Sequence, residues 1–250
     1  MGNILSIEKK VFPGFLNDEA SVTLLKKGFI MGDIFATYVT VDNSGRNKST
    51  WPKDITLATF HGNMEDVAST SALWKRFDAP RIVAFEYPGY GWRIKETASQ
   101  KAILADVPRQ KQVLESDTRV IICGRSIGTF AALQLAVALG PEKCRGLILL
   151  SPVLTAIATN IPPPLHRALS FMDFADNDTI AAQLSSDIPV LILHGVHDVV
   201  VPLSNAIGLR NTIHWAQYHA IAGANHNDMI YKSEVWEKID RFIIKASVIK

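Results

Sequence analysis

Ser126 stands in the pattern Gly-x-Ser-x-Gly, written here as Gly124-Arg125-Ser126-Ile127-Gly128. A serine hydroxyl is a weak nucleophile until a base takes its proton and a third group orients that base. So activated, it attacks an acyl carbon, forms a covalent acyl-serine and is released by water. In a parallel sheet the base and the acid belong at the C-terminal ends of strands, where sites gather. Two later positions meet that demand. Asp198 follows the apolar run at residues 190–193, and His226 follows the strand-like residues 217–221. Ser126, Asp198 and His226 then form a triad in the order Ser, Asp, His.

The oxygen of the attacked carbonyl gathers negative charge and needs aimed N–H donors. One belongs to the residue after the nucleophile, Ile127. The other should come from the loop after the strand that ends in His61-Gly62, which points to Asn63. Gly62 would let the backbone approach closely. The remaining histidines have plainer places. His194 ends a strand and should pack beneath the loop. His197 precedes Asp198 and should point elsewhere, and His166, His214 and His219 sit in surface-like settings. No further ligand cluster accompanies His194 and His197, so no metal site is expected. Asp228 is the rival acid, but it lies too close to His226 in the chain to sit behind its ring.

These side chains need elements to hold them. Residues 120–123 are short, apolar and partly β-branched, which suits a strand buried on both faces. Residues 129–139 are helix formers closed by Gly140-Pro141. Strand, Gly-x-Ser-x-Gly, helix is the setting of a nucleophile elbow. The turn is so sharp that side chains two before and two after the serine would collide, which Gly124 and Gly128 avoid. Upstream, residues 22–25 and 35–41 read as an antiparallel start joined by a turn at 28–32. Further strands are expected at 55–60, 81–87, 146–150, 190–193 and 217–221. Helices are expected at 65–77, at 96–115 with Pro108 breaking or kinking it, near 179–184, and from 202. At residues 229–245, Ile230, Val235, Trp236, Ile239, Phe242 and Ile243 recur at helical spacing.

Strands alternating with helices predict an α/β chain, a mostly parallel sheet with helices on both faces. No linker or repeat interrupts the pattern. One domain is expected over residues 1–250, with 1–20 as an N-terminal extension and 153–188 as a small cap-like segment. A large independent lid does not fit in 153–188. That segment carries Ile161, Leu165, Leu169, Phe171, Met172 and Phe174, of which those not in the core would line a short apolar groove beside Ser126.

Hydrophobic residues make up 48% of the 250, enough for a sizeable core. Basic and acidic residues, 26 against 24, nearly cancel, and no basic stripe points to nucleic acid. Cys123 and Cys144 read as unpaired thiols, which fits a reducing, cytoplasmic setting. No secretory signal or spanning apolar run is visible. The opening Met1-Gly2-Asn3-Ile4-Leu5-Ser6 fits the N-myristoylation pattern with Gly2 as acceptor. One such chain, with Lys9 and Lys10 as a weak second signal, predicts a mixed soluble and peripheral membrane pool.

The pieces His61-Gly62-Asn63, Tyr87-Pro88-Gly89-Tyr90-Gly91, the elbow, Ser151-Pro152-Val153, Leu193-His194-Gly195 with Asp198, and Gly223 with His226-Asn227-Asp228 resemble an α/β-hydrolase across nearly the whole chain. More narrowly the chain resembles the group of α/β-hydrolase domain protein 17 depalmitoylases and their relatives. The resemblance implies a serine hydrolase of acyl esters or thioesters, a lipidated protein among its substrates, and no cofactor. The alternatives are a peptidase-like hydrolase and a non-catalytic binding scaffold, the latter having no need of all three triad residues. Three departures stand out. The N-terminal cysteine cluster of those depalmitoylases is missing, Asn225 replaces the glycine usual before the histidine, and Glu86 stands where aspartate is common.

Overall fold

Apolar side chains on both pleat faces of a strand require cover from both sides. In the structure, a computed structural model that describes residues 30–31, 38–42, 51–77, 79–155 and 175–248, such runs form the centre of one sheet. Its strands are β1 (Ile30–Met31), β2 (Tyr38–Asp42), β3 (Ile55–Phe60), β4 (Arg81–Phe85), β5 (Arg119–Arg125), β6 (Cys144–Leu150), β7 (Val190–Gly195) and β8 (Gln217–Ile221). They lie in the order β1-β2-β4-β3-β5-β6-β7-β8. The first two pair antiparallel at the edge, and β4-β3-β5-β6-β7-β8 run parallel.

The helices are α1 (Val67–Lys75), α2 (Gln100–Ala105), α3 (Val107–Val113), α4 (Gly128–Leu139), α5 (Asn177–Ala181), α6 (Ser204–Thr212) and α7 (Ser233–Val248). Period-two alternation splits the strands between two buried layers. Ala58, Phe60, Val120 and Ile122 face the layer that holds Phe130 and Leu133 of α4. Leu57, Ile121, Cys123 and Ile148 face the layer that holds Trp74 of α1 and Trp236, Ile239 and Phe242 of α7. Helices therefore cover both faces, as the alternation predicts.

Register carries the ends of the strands to one edge. Phe60 pairs with Gly124, Gly124 with Leu149, Leu150 with Leu193, and Gly195 with Ile221. The loops after β3, β5, β7 and β8 consequently emerge side by side.

Two local expectations need correction. Residues 28–32 were expected as a turn, yet Ile30 and Met31 pair with Thr40 and Val39 as β1. The glycines around them signal a turn locally, and strand pairing overrides that signal. The helical stretch expected over 96–115 begins later, at Gln100, and is interrupted at Asp106, beside Pro108, where a break or kink is expected. Ser99 caps α2 by accepting from Ala102 N at 3.1 Å, and Pro108 sits in the first turn of α3, where its missing N–H costs nothing. The expectations for 1–20, 22–25 and most of the cap-like segment fall outside the described residues, as do Gly2 and the apolar residues 161–174.

Candidate active site

The turn after β5 is the first part of the site. Ser126 has φ of 54°, left-handed backbone that a non-glycine residue adopts only under strain. Its N–H donates to Leu150 O at 2.8 Å, which docks the turn on β6. A Cβ on Gly124 would lie 2.6 Å from Gly128 O, and one on Gly128 would lie 2.4 Å from His61 O. The second glycine thus does more than relieve the turn. It lets α4 start against the end of β3, bringing Ile127 beside the loop that carries Asn63.

Asp198 and His226 meet at the ends of β7 and β8. His197 N donates to Ala224 O at 2.8 Å and Val196 N to Ile221 O at 3.0 Å, lacing the two loops together. A Cβ on Gly195 would come within 2.6 Å of Ala224 O, so glycine is needed at this crossing. His226 Nδ1 then donates to Asp198 Oδ2 at 2.7 Å. The other carboxylate oxygen accepts from Val200 N at 3.0 Å and Val201 N at 2.8 Å. Burial disfavours the Asp198 charge, but the His226 bond, the Val201 N–H and the neighbouring imidazoles outweigh it and lower the pKa. Asp198 is thereby kept as a carboxylate. Among the described residues, His226 Nε2 and Ser126 Oγ make no hydrogen bond. Ser126, Asp198 and His226 are 6%, 6% and 7% exposed.

Asp228, the rival acid, turns away. Its carboxylate accepts from Asn225 N at 2.8 Å and Asn225 Nδ2 at 3.0 Å, closing the turn before the histidine. Asn225, unusual at that place, is thus a turn residue. His194 lies beneath the loop, as read from its position, donating from Nε2 to Val201 O at 2.8 Å. Burial lowers its pKa, which favours the neutral ring. It also sits 3.4 Å from Asp198 Oδ2, a second imidazole that the spacing alone did not disclose.

The loop after β3 is held more firmly than a simple turn. His61 is fully buried, with Nδ1 2.8 Å from Gly62 O and Nε2 2.7 Å from Glu86 Oε1. A carbonyl oxygen only accepts, so Nδ1 carries a proton, and the opposite nitrogen shares one with the Glu86 carboxyl. Burial works against a charged ring, yet the Glu86 charge, its hydrogen bond and Gly62 O raise the His61 pKa overall. Glu86 Oε2 also accepts from Val67 N at 3.1 Å, at the start of α1. Tyr87 OH donates to His61 O at 3.0 Å, and Tyr90 OH donates to Asn63 Oδ1 at 2.9 Å. Gly62 C=O and Asn63 N–H share one peptide plane and point opposite ways. Fixing the carbonyl on His61 therefore turns the Asn63 N–H away from that ring. Among the described residues, the backbone N–H groups of Asn63 and Ile127 donate no hydrogen bond.

Glu86, Glu65 and Arg125 are the site's unread members. In the sequence, Glu86 stands out only as a departure from aspartate, and Arg125 only as the variable residue of the elbow. Among the described residues no cluster of His, Cys, Asp or Glu could hold a metal ion. A cavity of about 470 Å³, lined by Arg145, Trp215 and Phe242 among others, opens at the opposite end of the sheet. Cys123 and Cys144 are free and buried, and burial pushes the Cys144 thiol up to about 12. No described helix is long and apolar enough to cross a membrane.

Sheet order, elbow and two-sided helical cover define the α/β-hydrolase fold. Solved structures match it. An esterase from Rhodococcus sp. ECU1013 superposes with a TM-score of 0.57 over 85% of this chain and 95% of that one, at 18% identity. A thermophilic esterase from Thermogutta terrifontis does so with a TM-score of 0.59 over 87% and 98%, at 17% identity. Within that fold the chain resembles the α/β-hydrolase domain-containing protein 17 group. It is 28% identical to protein 17C of Mus musculus over 198 residues, 75% of this chain. It is 27% identical to protein 17B of Xenopus laevis over 208 residues, 77% of this chain and 67% of that one. The match spans 59% of the length of the mouse protein and 57% of the human 17C protein. No protein-family model matches the chain.

Proposed function

We propose that this α/β-hydrolase is a serine hydrolase that cleaves acyl esters or thioesters through an acyl-enzyme. The observation that carries the reading is the His226–Asp198 hydrogen bond of 2.7 Å at the strand edge where the strained Ser126 turn emerges. In this mechanism His226 Nε2 takes the Ser126 proton as Oγ bonds to the acyl carbon. Asn63 and Ile127 N–H groups hold the oxyanion. His226 then gives the proton to the leaving alcohol or thiol as the acyl-serine forms. Water, deprotonated by His226, attacks that ester and frees the acid and Ser126. Asp198, kept ionised, stabilises the imidazolium in both halves. No cofactor is required.

The relatives' names support an α/β-hydrolase, and esterases among the structural neighbours favour an ester or thioester over a peptide. The finer proposal is an acyl chain of short to medium length presented by a bulky carrier, a lipidated protein among them. Labelling with a fluorophosphonate tests the nucleophile: Ser126→Ala should abolish it while the protein stays folded. Undiminished labelling of that variant would overturn the assignment. Thioesters and p-nitrophenyl esters of increasing length test the substrate. Cleavage of peptide anilides alone would move the protein to the peptidase reading. Myristate on Gly2, with partial membrane association of an otherwise cytoplasmic protein, remains part of the proposal. Intact mass of the native protein tests it, and an unmodified Gly2 removes it.

A further inference from the structure

Arg125 lies between the residue that makes the elbow turn possible and the serine itself. Its side chain is only 6% exposed and points neither to solvent nor to the apolar layers. Nη2 donates to the backbone carbonyl of His226 at 3.2 Å. Nη1 donates to Glu65 Oε1. The other oxygen of that carboxylate accepts from Gly62 N at 2.7 Å. A continuous chain of hydrogen bonds therefore runs from the backbone of the histidine, through the guanidinium and Glu65, to the N–H of Gly62, the residue before Asn63. The path joins the loops after β8 and β3 through the last residue of β5.

Resting on the reading of Ser126 as nucleophile, we infer that Arg125 is a positioning residue that locks the base-bearing loop to the oxyanion loop. The physical ground is geometric. A guanidinium is a planar fork whose arms hold two acceptors at fixed separation. Here one arm takes a backbone carbonyl and the other a carboxylate, so motion of either loop strains the same group. Gly62 is then held twice: its N–H by Glu65, and its carbonyl by His61 at 2.8 Å. With both sides of Gly62 fixed, the Asn63 N–H has little freedom left. The absence of a side chain at 62 is part of the device, since a Cβ there would lie 2.8 Å from Glu65 Oε2 and 3.2 Å from Arg125 Nη1. The cost is visible too. Arg125 Nε is buried with no hydrogen-bond partner among the described residues. An apolar side chain would fill the space without desolvating a charge. What it could not do is hold two catalytic loops in register.

The distinction from a merely structural arginine lies in which kinetic quantity moves. Arg125→Met keeps the length and removes the fork. Its kcat on a p-nitrophenyl ester should fall about 100-fold, the scale of a misplaced reacting geometry, with KM close to wild type. Its fluorophosphonate labelling should slow in parallel. Arg125→Lys should recover part of the loss, because one ammonium can reach Glu65 but cannot also serve His226 O. Guanidinium ion added to Arg125→Ala should raise kcat. Glu65→Gln, at a partly exposed side chain, breaks only the oxyanion arm and should lose less than Arg125→Met. In the double variant the losses should be less than additive. Unchanged kcat in folded Arg125→Met or in Glu65→Gln, or a lowered melting temperature with no guanidinium rescue, overturns the inference. If the Arg125 variants do not fold, Glu65→Gln alone decides it. Ser126→Ala separates the two readings: full labelling there sinks the nucleophile, whereas no labelling there with wild-type rates at Arg125→Met sinks only the positioning role.

Discussion

Two histidine–carboxylate pairs stand at the same edge of the sheet, and they are built for opposite ends. His226 faces Asp198 at 2.7 Å, and His61 faces Glu86 at the same 2.7 Å. His61 is fully buried and both ring nitrogens are engaged, one by Glu86 and one by Gly62 O. His226 keeps some exposure, and among the described residues only Nδ1 is bonded. A ring with a nitrogen to spare can take up and return a proton. A ring with both nitrogens committed can only hold its neighbours still. An imidazole, a carboxylate and a 2.7 Å contact are shared; the state of the second nitrogen separates the proposed base from the brace.

Removing each histidine should expose the contrast. On the proposed triad, His226→Ala should lower turnover by about 10⁴-fold or more, because triad members act as a unit. Asp198→Asn should come close to that loss. A rate within a few-fold of wild type would hand the acid role to another carboxylate. These are the largest effects expected.

The buried pair should answer in stability instead. His61→Gln or Glu86→Gln leaves a partner buried and unpaired, which costs about 3–5 kcal/mol of unfolding free energy. Chemical denaturation measures it. A loss of activity without a loss of stability would mean that His61 is more than a brace. Glu86→Asp tests the length of the acid. A shorter side chain cannot serve both His61 and Val67 N, and losing one charged hydrogen bond should cost about 1.5–3 kcal/mol.

The two pairs should also respond to pH in opposite directions. The His61 pKa is raised, so its contribution is complete below the unfolded value of about 6.5 and fades as pH rises through the folded value. The stability gap between wild type and His61→Gln should therefore be widest in mild acid and narrow toward alkaline pH. The Asp198 pKa is lowered, so its contribution is complete above the unfolded value of about 3.9 and is lost as pH falls through the folded one. The gap to Asp198→Asn should close in strong acid. Denaturation curves across pH check both, and parallel trends would show that the charge assignments are wrong. The smallest effect belongs to Tyr90→Phe, which deletes the hydroxyl on Asn63 Oδ1 and should cost about 1 kcal/mol with a few-fold fall in kcat.

Much of this arrangement is visible in one dimension. The strand, turn and helix around Ser126 lie within some 20 consecutive residues, and apolar periodicity with two glycines is a local signal. Asp198 and His226 can be placed because each follows a strand whose apolar run is plain. The strand pairing of Ile30 and Met31 is not local, and the glycines nearby mislead. The role of Glu86 is equally hidden, since its partner is 25 residues away and a glutamate after a strand resembles any other surface acid.

What the sequence by itself determined is the fold class and the order of the candidate groups: an α/β chain with a serine in a Gly-x-Ser-x-Gly turn, followed in order by an acid and a histidine at strand ends. Those features follow from composition, spacing and chain order, which folding cannot alter. Only the tertiary structure decided which histidine keeps a ring nitrogen unbonded among the described residues and which has both engaged, that Asp228 closes a turn, and that Arg125 spans two loops. Each of those facts depends on what occupies the far side of a side chain. That neighbour arrives from tens or a hundred residues away, 101 in the case of Arg125 and His226, through strand register rather than through any local pattern.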